Sequence, residues 1–348
     1  GGMRLVTYAS DRGPRAGVQA DSGVIDAWDM LEGEGTSLKE LISGGRSNLT
    51  FEVRDDVHHW VARRPPMGGL TPSAHDMNRE WDVTSALVST AVPVPATIAI
   101  DREGEFIGAP CTVVEFVDGR VIRSVEELAQ LSDAEVTASA DALVRTLADL
   151  HAVDYRAVGL GEFGRPEGFA ARQVKLWARQ WGIVKTREMD DVERLAAALT
   201  ERVPAQARSS IVHGDFRIDN TILAPNDAGT VAAVVDWEMA ALGDPITDVA
   251  LMCVYREPVF SSVLGFEAAW TSDRYPDTDG LAQRYVEATG TDLGDWDFYL
   301  GLANLKLGVI AEGITHRALA GGSSGDASAE RAAEATAHFI DNGLKALQ

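Results

Sequence analysis

Cysteine is scarce in this 348-residue chain: the two present, Cys111 and Cys253, lie too far apart in sequence to match any metal-ligand spacing. That excludes a disulfide framework and a zinc site, and both read as small buried apolar residues. Basic residues are in deficit, 31 Lys plus Arg against 53 Asp plus Glu, for a net charge of −22. A field of that sign repels phosphodiesters and anionic headgroups, so neither nucleic acid nor a membrane is expected as a partner. No stretch reaches the roughly 18 consecutive apolar residues of a membrane span, and the start lacks the basic-then-apolar layout of a secretory signal. A cytoplasmic location is the resulting expectation. Gly1 and Gly2 before Met3 read as the scar of a removed tag and stand outside the fold argument. The chain contains no internal repeat.

Apolar residues make up 45% of the chain, the share of an ordinary globular protein, and its length suits two packed units at roughly 150 residues each. Residues 3–43 begin with the β-branched run Leu5-Val6-Thr7-Tyr8 and the turn-rich Ser10-Asp11-Arg12-Gly13-Pro14, a β-type start. From Gly44 to Val117 the pattern is strand, turn and strand, with one helix expected around Ala74–Ser89 and a strand at Cys111–Val117. After Asp118-Gly119 the composition shifts to Ala, Leu and charge, and Leu143, Leu147 and Leu150 fall on one helical face. Further helices are expected at Phe169–Trp181, at Asp190–Thr200 and from Asp295 onward, the last interrupted by the flexible Gly321–Gly325. The expected organisation is an appended segment at 1–41, a small unit at 42–117 and a larger one at 118–348.

The chemistry concentrates in Ile211-Val212-His213-Gly214-Asp215-Phe216-Arg217-Ile218-Asp219-Asn220 and in Val231-Ala232-Ala233-Val234-Val235-Asp236-Trp237-Glu238. Two apolar strands each deliver a carboxylate at their ends. If they pair as a hairpin-like unit, Asp215, Asn220 and Asp236 gather as oxygen-only ligands that suit Mg²⁺ rather than zinc. A hard divalent ion and one free carboxylate are what phosphoryl transfer needs, because the transferred group carries its charge on oxygens. Any single Asp after a strand is commonly a turn or cap residue. The fixed spacings taken together are something turn formation does not require.

These two segments resemble the catalytic and metal segments of the aminoglycoside phosphotransferase and choline kinase family, which has a protein-kinase-like fold. The resemblance implies an α+β bilobal architecture with a small antiparallel β lobe and a larger, mainly helical lobe. It implies that Asp215 is the catalytic base, that Asn220 and Asp236 hold Mg²⁺, and that His213, Glu238 and Asp248 support them, the last from Gly243-Asp244-Pro245-Ile246-Thr247-Asp248. Glu238 stands where protein kinases have glycine. Upstream, Gly44, Gly45, Arg46, Ser47 and Asn48 form a glycine-led turn able to lay backbone N–H groups over nucleotide phosphates. Trp60-Val61-Ala62-Arg63 falls where kinases have their lysine strand, so Arg63 takes the phosphate role with Glu80 as partner, and Arg64 competes for the assignment. Glu115 and Val117, flanking Phe116, fall where a hinge meets the adenine edge.

Arg63-Arg64-Pro65-Pro66, Ala74-His75-Asp76, Arg79-Glu80 and Val92-Pro93-Val94-Pro95 are more specifically similar to the branch fused to acyl-CoA dehydrogenases. The implied activity is transfer of the γ-phosphoryl of ATP or GTP to a hydroxyl of a small molecule, with a hydroxyacyl-CoA as the suggested acceptor. An alternative is a nucleotide-binding pseudokinase with a regulatory role, for which Arg63 in place of lysine is the supporting feature. Residues 3–41 resemble instead the N-terminal segment of the fumarylacetoacetate hydrolase family, a third reading that rests on those residues alone. Lys175, Trp177, Arg179, Trp181, Trp270, Trp296 and Tyr299 are candidates to line an acceptor pocket, although Trp at helical spacing is more often core.

Overall fold

The computed structural model describes residues 4–10, 13–20, 23–26, 49–54, 57–65, 76–105, 107–320 and 327–348. The strand-forming start folds as a meander of β1 (Arg4–Ser10), β2 (Gly13–Ala20) and β3 (Gly23–Asp26), antiparallel in that order, with Ser10 opposite Gly13. A connection of two residues is the length that favours a hairpin. The turn Gly44–Asn48 and the break at Gly321–Gly325 lie outside the described residues.

A second sheet has the order β4-β5-β7-β6, antiparallel throughout, from β4 (Leu49–Arg54), β5 (His59–Arg64), β6 (Thr97–Asp101) and β7 (Cys111–Glu115). Helix α1 (Met77–Leu87) packs on β6 and β7. Asp76 starts it by accepting the N–H groups of Asn78 and Arg79, an N-cap that satisfies two of the helix's unpaired donors. Met77, Glu80, Val83, Thr84 and Leu87 form its buried face at helical spacing. A carboxylate in that stripe requires a partner, which makes Glu80 the informative residue of the helix.

The chain divides into two units, one of residues 1–118 with 233–240 and the other of 119–232 with 241–348. The segment carrying Asp236 and Glu238 thus groups with the first unit, where Val234 donates its N–H to the Pro93 carbonyl at 2.8 Å.

The second unit is mainly helical, with α2 (Val125–Leu128), α3 (Asp133–Ala152), α4 (Phe169–Val184), α5 (Asp190–Glu201), α6 (Ile246–Val254), α7 (Phe260–Leu264), α8 (Thr278–Thr289), α9 (Trp296–Ala320) and α10 (Ala327–Ala346). Ser132 and Glu135 form a reciprocal capping box at the start of α3, and the Leu143, Leu147 and Leu150 face is buried as the periodicity requires. Helix α9 is buried along most of its length and packs against α4, α5, α6 and α10. Gly308 permits its approach to α10, since a Cβ there would meet Ile340 at 2.8 Å.

One expectation fails. The runs at 211–212 and 231–235 do not pair with each other: β8 (Ser210–Val212) pairs with β11 (Ala241–Gly243), and β10 (Asp227–Val234) pairs with β9 (Thr221–Ala224). The physical reason is local. The 3₁₀ turn Ile218–Asn220 leads directly into β9, and β9 and β10 are joined by a short reversal, so β10 pairs with its neighbour in sequence at the smallest loop-closure cost.

Candidate active site

In the first unit, Arg63 sits on β5 opposite Thr50 of β4 and Thr112 of β7. Its Nη1 donates to Glu80, and its Nη2 donates to Asp236 Oδ1 at 3.3 Å. Strand alternation sends Arg64 to the other face, where it is buried and its Nε donates to the Pro65 carbonyl, so Arg63 is the residue that meets Glu80. Arg63 Nε and Glu80 Oε2 are buried without a hydrogen-bond partner among the described residues. Burial pushes the Glu80 carboxyl up to about 7, with the charges of Asp236 and Glu238 adding to the rise and Arg63 opposing it. Burial works against the Arg63 charge, but the surrounding carboxylates hold its pKa above the ordinary value.

Asp236 has φ 66° and is the sole non-glycine residue with positive φ among the described residues. Aspartate tolerates this left-handed conformation better than most residues, and backbone of this kind clusters at ligand sites. The following turn, Trp237–Met239, is anchored by the buried Trp237, whose Nε1 donates to the Val234 carbonyl at 3.0 Å. Glu238 is exposed and acts on Arg63 and Glu80 through charge. At the end of β7, Glu115 donates its N–H to the Ala96 carbonyl and Phe116 donates to the His59 carbonyl. Those two donors are committed within the unit, and Val117 follows them.

In the second unit, β8 delivers the loop His213-Gly214-Asp215. Gly214 has φ 80°, a conformation a side chain would resist, and this turns the chain so that both adjoining N–H groups face one acceptor. That acceptor is Asp248 on α6, which takes the N–H of His213 at 2.6 Å and of Gly214 at 2.8 Å. Asp248 is fully buried; His151 Nε2 lies 3.4 Å from it, and His151 Nδ1 is 2.8 Å from the Tyr285 hydroxyl. Burial disfavours its charge, yet His151, His213 and the backbone hydrogen bonds hold its pKa below the usual carboxylate value. His213 accepts the Asp215 N–H on Nδ1 at 3.2 Å, a bracing contact inside the loop.

The Asp215 carboxylate is held at both oxygens. Oδ1 accepts from the Tyr255 hydroxyl and from Arg217 Nε at 3.2 Å; Oδ2 accepts from Asn220 Nδ2 at 2.9 Å and from Arg217 Nη2 at 3.3 Å. Because a carboxylate only accepts, the Asn220 amide nitrogen must face Asp215, which turns its oxygen elsewhere. Burial opposes ionisation of Asp215, but Arg217, Tyr255 and Lys306 hold its pKa below the ordinary value. Lys306 of α9 donates to the Gly214 carbonyl at 2.6 Å and lies over the Trp177 ring; burial lowers its pKa.

The structure thus brings Arg63, Glu80, Asp236 and Glu238 together in one unit, and His213, Asp215, Asn220 and Asp248 together in the other. Sequence reasoning missed Arg217, Tyr255, Lys306 and His151. Of these, Tyr255 carried a readable signal, since it stands seven residues after Asp248 and therefore on the same helical face. The candidate pocket residues resolve differently: Lys175 and Arg179 are exposed, Trp177, Trp181 and Trp270 are core, and Tyr299 donates to Asp244 at 2.6 Å.

Comparison with known proteins defines the class. A candidate aminoglycoside phosphotransferase from Ralstonia eutropha superposes with a TM-score of 0.73 at 31% identity, covering 87% of this chain and 90% of that one. A thermostable mutant of APH(4)-Ia, solved with AMP-PNP and hygromycin B, superposes at 0.55 with 18% identity over 86% of this chain and 92% of that one, a likeness of fold. The architecture is the α+β protein-kinase-like one. The profile of the phosphotransferase enzyme family matches residues 40–299, and the chain belongs to that family, whose chemistry is small-molecule phosphotransfer. Acyl-CoA dehydrogenase family member 10 of Mus musculus is 33% identical over 296 residues, 84% of this chain and 27% of that protein. Family member 11 of Gallus gallus is 35% identical over 296 residues, 83% of this chain and 38% of its own length. The chain therefore spans well under half the length of these curated relatives. No helix among the described residues is long and apolar enough to cross a membrane.

Proposed function

We propose that this chain transfers the γ-phosphoryl group of ATP or GTP, with Mg²⁺, to a hydroxyl of a small molecule. The observation that carries the reading is the Asp215 carboxylate, kept ionised by Arg217, Tyr255 and Lys306 and fixed by Asn220. Asp215 orients the acceptor hydroxyl and takes its proton as the oxygen bonds to phosphorus and the bond to the nucleoside diphosphate breaks. Arg63, fixed by Glu80, binds the nucleotide phosphates, joined by the Gly44–Asn48 turn, and Glu115 and Val117 meet the base. Asp236 and Asn220 are the Mg²⁺ ligands, both through oxygen, with His213, Glu238 and Asp248 in support.

The charges present suit such an ion. In the first unit the Arg63 guanidinium faces Glu80, Asp236 and Glu238, and a divalent cation beside them would relieve the repulsion among the carboxylates. Among the described residues no group of three or more His, Cys, Asp or Glu forms a closed cage. Mg²⁺ commonly takes one or two protein oxygens and completes its shell with phosphate and water. When bound, it neutralises charge on the phosphates.

A hydroxyacyl thioester is the proposed acceptor, supported by the similarity to acyl-CoA dehydrogenase family members. The first test is thermal stability with ATP and with GTP, each with and without Mg²⁺. A ligand at about 100 times its Kd stabilises the folded state by about 2.7 kcal/mol. The Mg²⁺-dependent rise should vanish in Asp236→Asn and survive in Asp215→Asn, whose turnover on hydroxyacyl-CoAs should fall about 10²- to 10⁴-fold. No rise with either nucleotide at millimolar concentration would sink the reading. A rise without turnover on hydroxyacyl-CoAs, choline-like alcohols or aminoglycosides would favour a regulatory nucleotide-binding module, the role to which Arg63 in place of lysine points.

A further inference from the structure

Tyr255 occupies the C-cap of α6, the helix whose first turn carries Asp248. The two residues are seven apart, two helical turns, and so share a face. From that face Asp248 takes the backbone N–H groups of His213 and Gly214, while the Tyr255 hydroxyl donates to Asp215 Oδ1. One rigid helix therefore grips the loop at its backbone and at its side chain.

Resting on the reading of Asp215 as the proton acceptor, we infer that Tyr255 is a positioning residue that fixes the orientation of the Asp215 carboxylate for phosphoryl transfer. A carboxylate on a single Cβ turns freely about its terminal bond unless both oxygens are held. Asn220 holds Oδ2 at 2.9 Å and Tyr255 holds Oδ1. The remaining contacts come from Arg217 at 3.2 and 3.3 Å, long for charge-assisted bonds, and that guanidinium is shared with Asp219. These long contacts are the ones an incoming hydroxyl displaces, since an ionised carboxylate has about four acceptor positions and all four are engaged. Without the Tyr255 hydroxyl, Oδ1 would keep only the Arg217 contact, and the base would lose its fixed plane when Arg217 yields.

The Tyr255 side chain is built for this task. It is buried, its ring lies 4.6 Å from that of Phe260, and the Arg217 guanidinium lies 5.4 Å from its centroid. Burial and the neighbouring Asp215 charge push the phenol well above its ordinary pKa, so the hydroxyl keeps the proton it donates.

The test needs no identified acceptor. Transfer of the γ-phosphoryl of Mg·ATP or Mg·GTP to water, read as inorganic phosphate release, uses the same base, and Asp215→Asn sets the floor. Tyr255→Phe keeps the ring and removes the hydroxyl; Tyr255→Leu removes both. In Tyr255→Phe, kcat should fall about ten- to hundredfold with nucleotide KM within about twofold of the parent and Tm nearly unchanged. Tyr255→Leu should match that kcat while Tm drops by about 5 °C or more, so that turnover follows the hydroxyl and stability follows the ring. A kcat for Tyr255→Phe within about twofold of the parent would overturn the inference, as would a loss seen only when the ring is removed. A rise in KM matching the fall in kcat would also overturn it. Phosphate release in Asp215→Asn equal to that of the parent would overturn the phosphotransfer reading itself, and this inference with it.

Discussion

Arg63 and Asp215 each anchor a cluster of charge, but the two clusters are built on opposite terms. Around Asp215 every oxygen has its donors, the loop backbone is tied to Asp248, and the Gly214 carbonyl is tied to Lys306. Around Arg63 the charges of Glu80, Asp236 and Glu238 converge on one guanidinium, and Arg63 Nε and Glu80 Oε2 are buried without a hydrogen-bond partner among the described residues. A satisfied network is rigid before any ligand arrives, whereas an unbalanced one becomes satisfied only when charge of the missing sign is supplied. The second unit is thus organised in advance around Asp215, whereas in the first unit two buried polar atoms still lack hydrogen bonds among the described residues.

The sharpest way to break this contrast is to remove the acceptor on which the loop hangs. Asp248→Ala leaves the buried N–H groups of His213 and Gly214 without a partner and His151 without its carboxylate. Losing one member of such a buried network costs about 3–5 kcal/mol, to be read from urea unfolding and from loss of amide-exchange protection at residues 213 and 214. An exchange pattern unchanged at those two amides would show that the loop holds its shape without Asp248.

The first unit makes the opposite prediction, one that depends on pH. Glu80 has its carboxyl raised from 4.5 to about 7, so between those values the unfolded chain has released a proton that the folded unit retains. Stability therefore falls as pH rises through that window and levels off above it, a loss of about 3 kcal/mol at most. Glu80→Gln removes the titration. The Tm of the variant relative to the parent, without nucleotide or metal, should climb from pH 5 to pH 8; a flat difference would mean that Glu80 stays ionised and the cluster is balanced after all.

The two clusters were also unequally legible in the sequence. Asp215 and Asn220 stand five residues apart, a spacing that local chain geometry carries, Asp236 ends an apolar run visible in the sequence, and Glu80 falls on the buried stripe of a helix whose period is visible. The choice between Arg63 and Arg64 followed only from the face each takes on β5. The expected pairing of runs 211–212 and 231–235 failed because the strand of only three residues at Ser210–Val212 takes its partner from Ala241–Gly243 downstream, while the longer strand Asp227–Val234 pairs with its immediate neighbour Thr221–Ala224. Lys306 reaches the loop at Gly214 from 92 positions away and His151 reaches Asp248 from 97, separations at which no pattern in the sequence announces contact.

The departure from the kinase lysine gives the smallest effect and the finest test of the comparison. Arg63 spans Glu80 with one nitrogen and Asp236 with the other, which a planar fork achieves and a single ammonium does not. Lysine at this position would have to choose. If it stays with Glu80, Asp236 is released and the ligand-free unit loses one charged contact, about 1 kcal/mol for a partly buried pair. The freed Asp236 then meets Mg²⁺ without first giving up Arg63, so the two effects oppose each other. Arg63→Lys should lower Tm slightly without ligand while the Mg²⁺-dependent rise with nucleotide stays the same or grows. A Tm unchanged without ligand, joined to a smaller rise with it, would mean that Arg63 contributes to nucleotide binding through its fork and that its contact with Asp236 carries no weight in the resting protein.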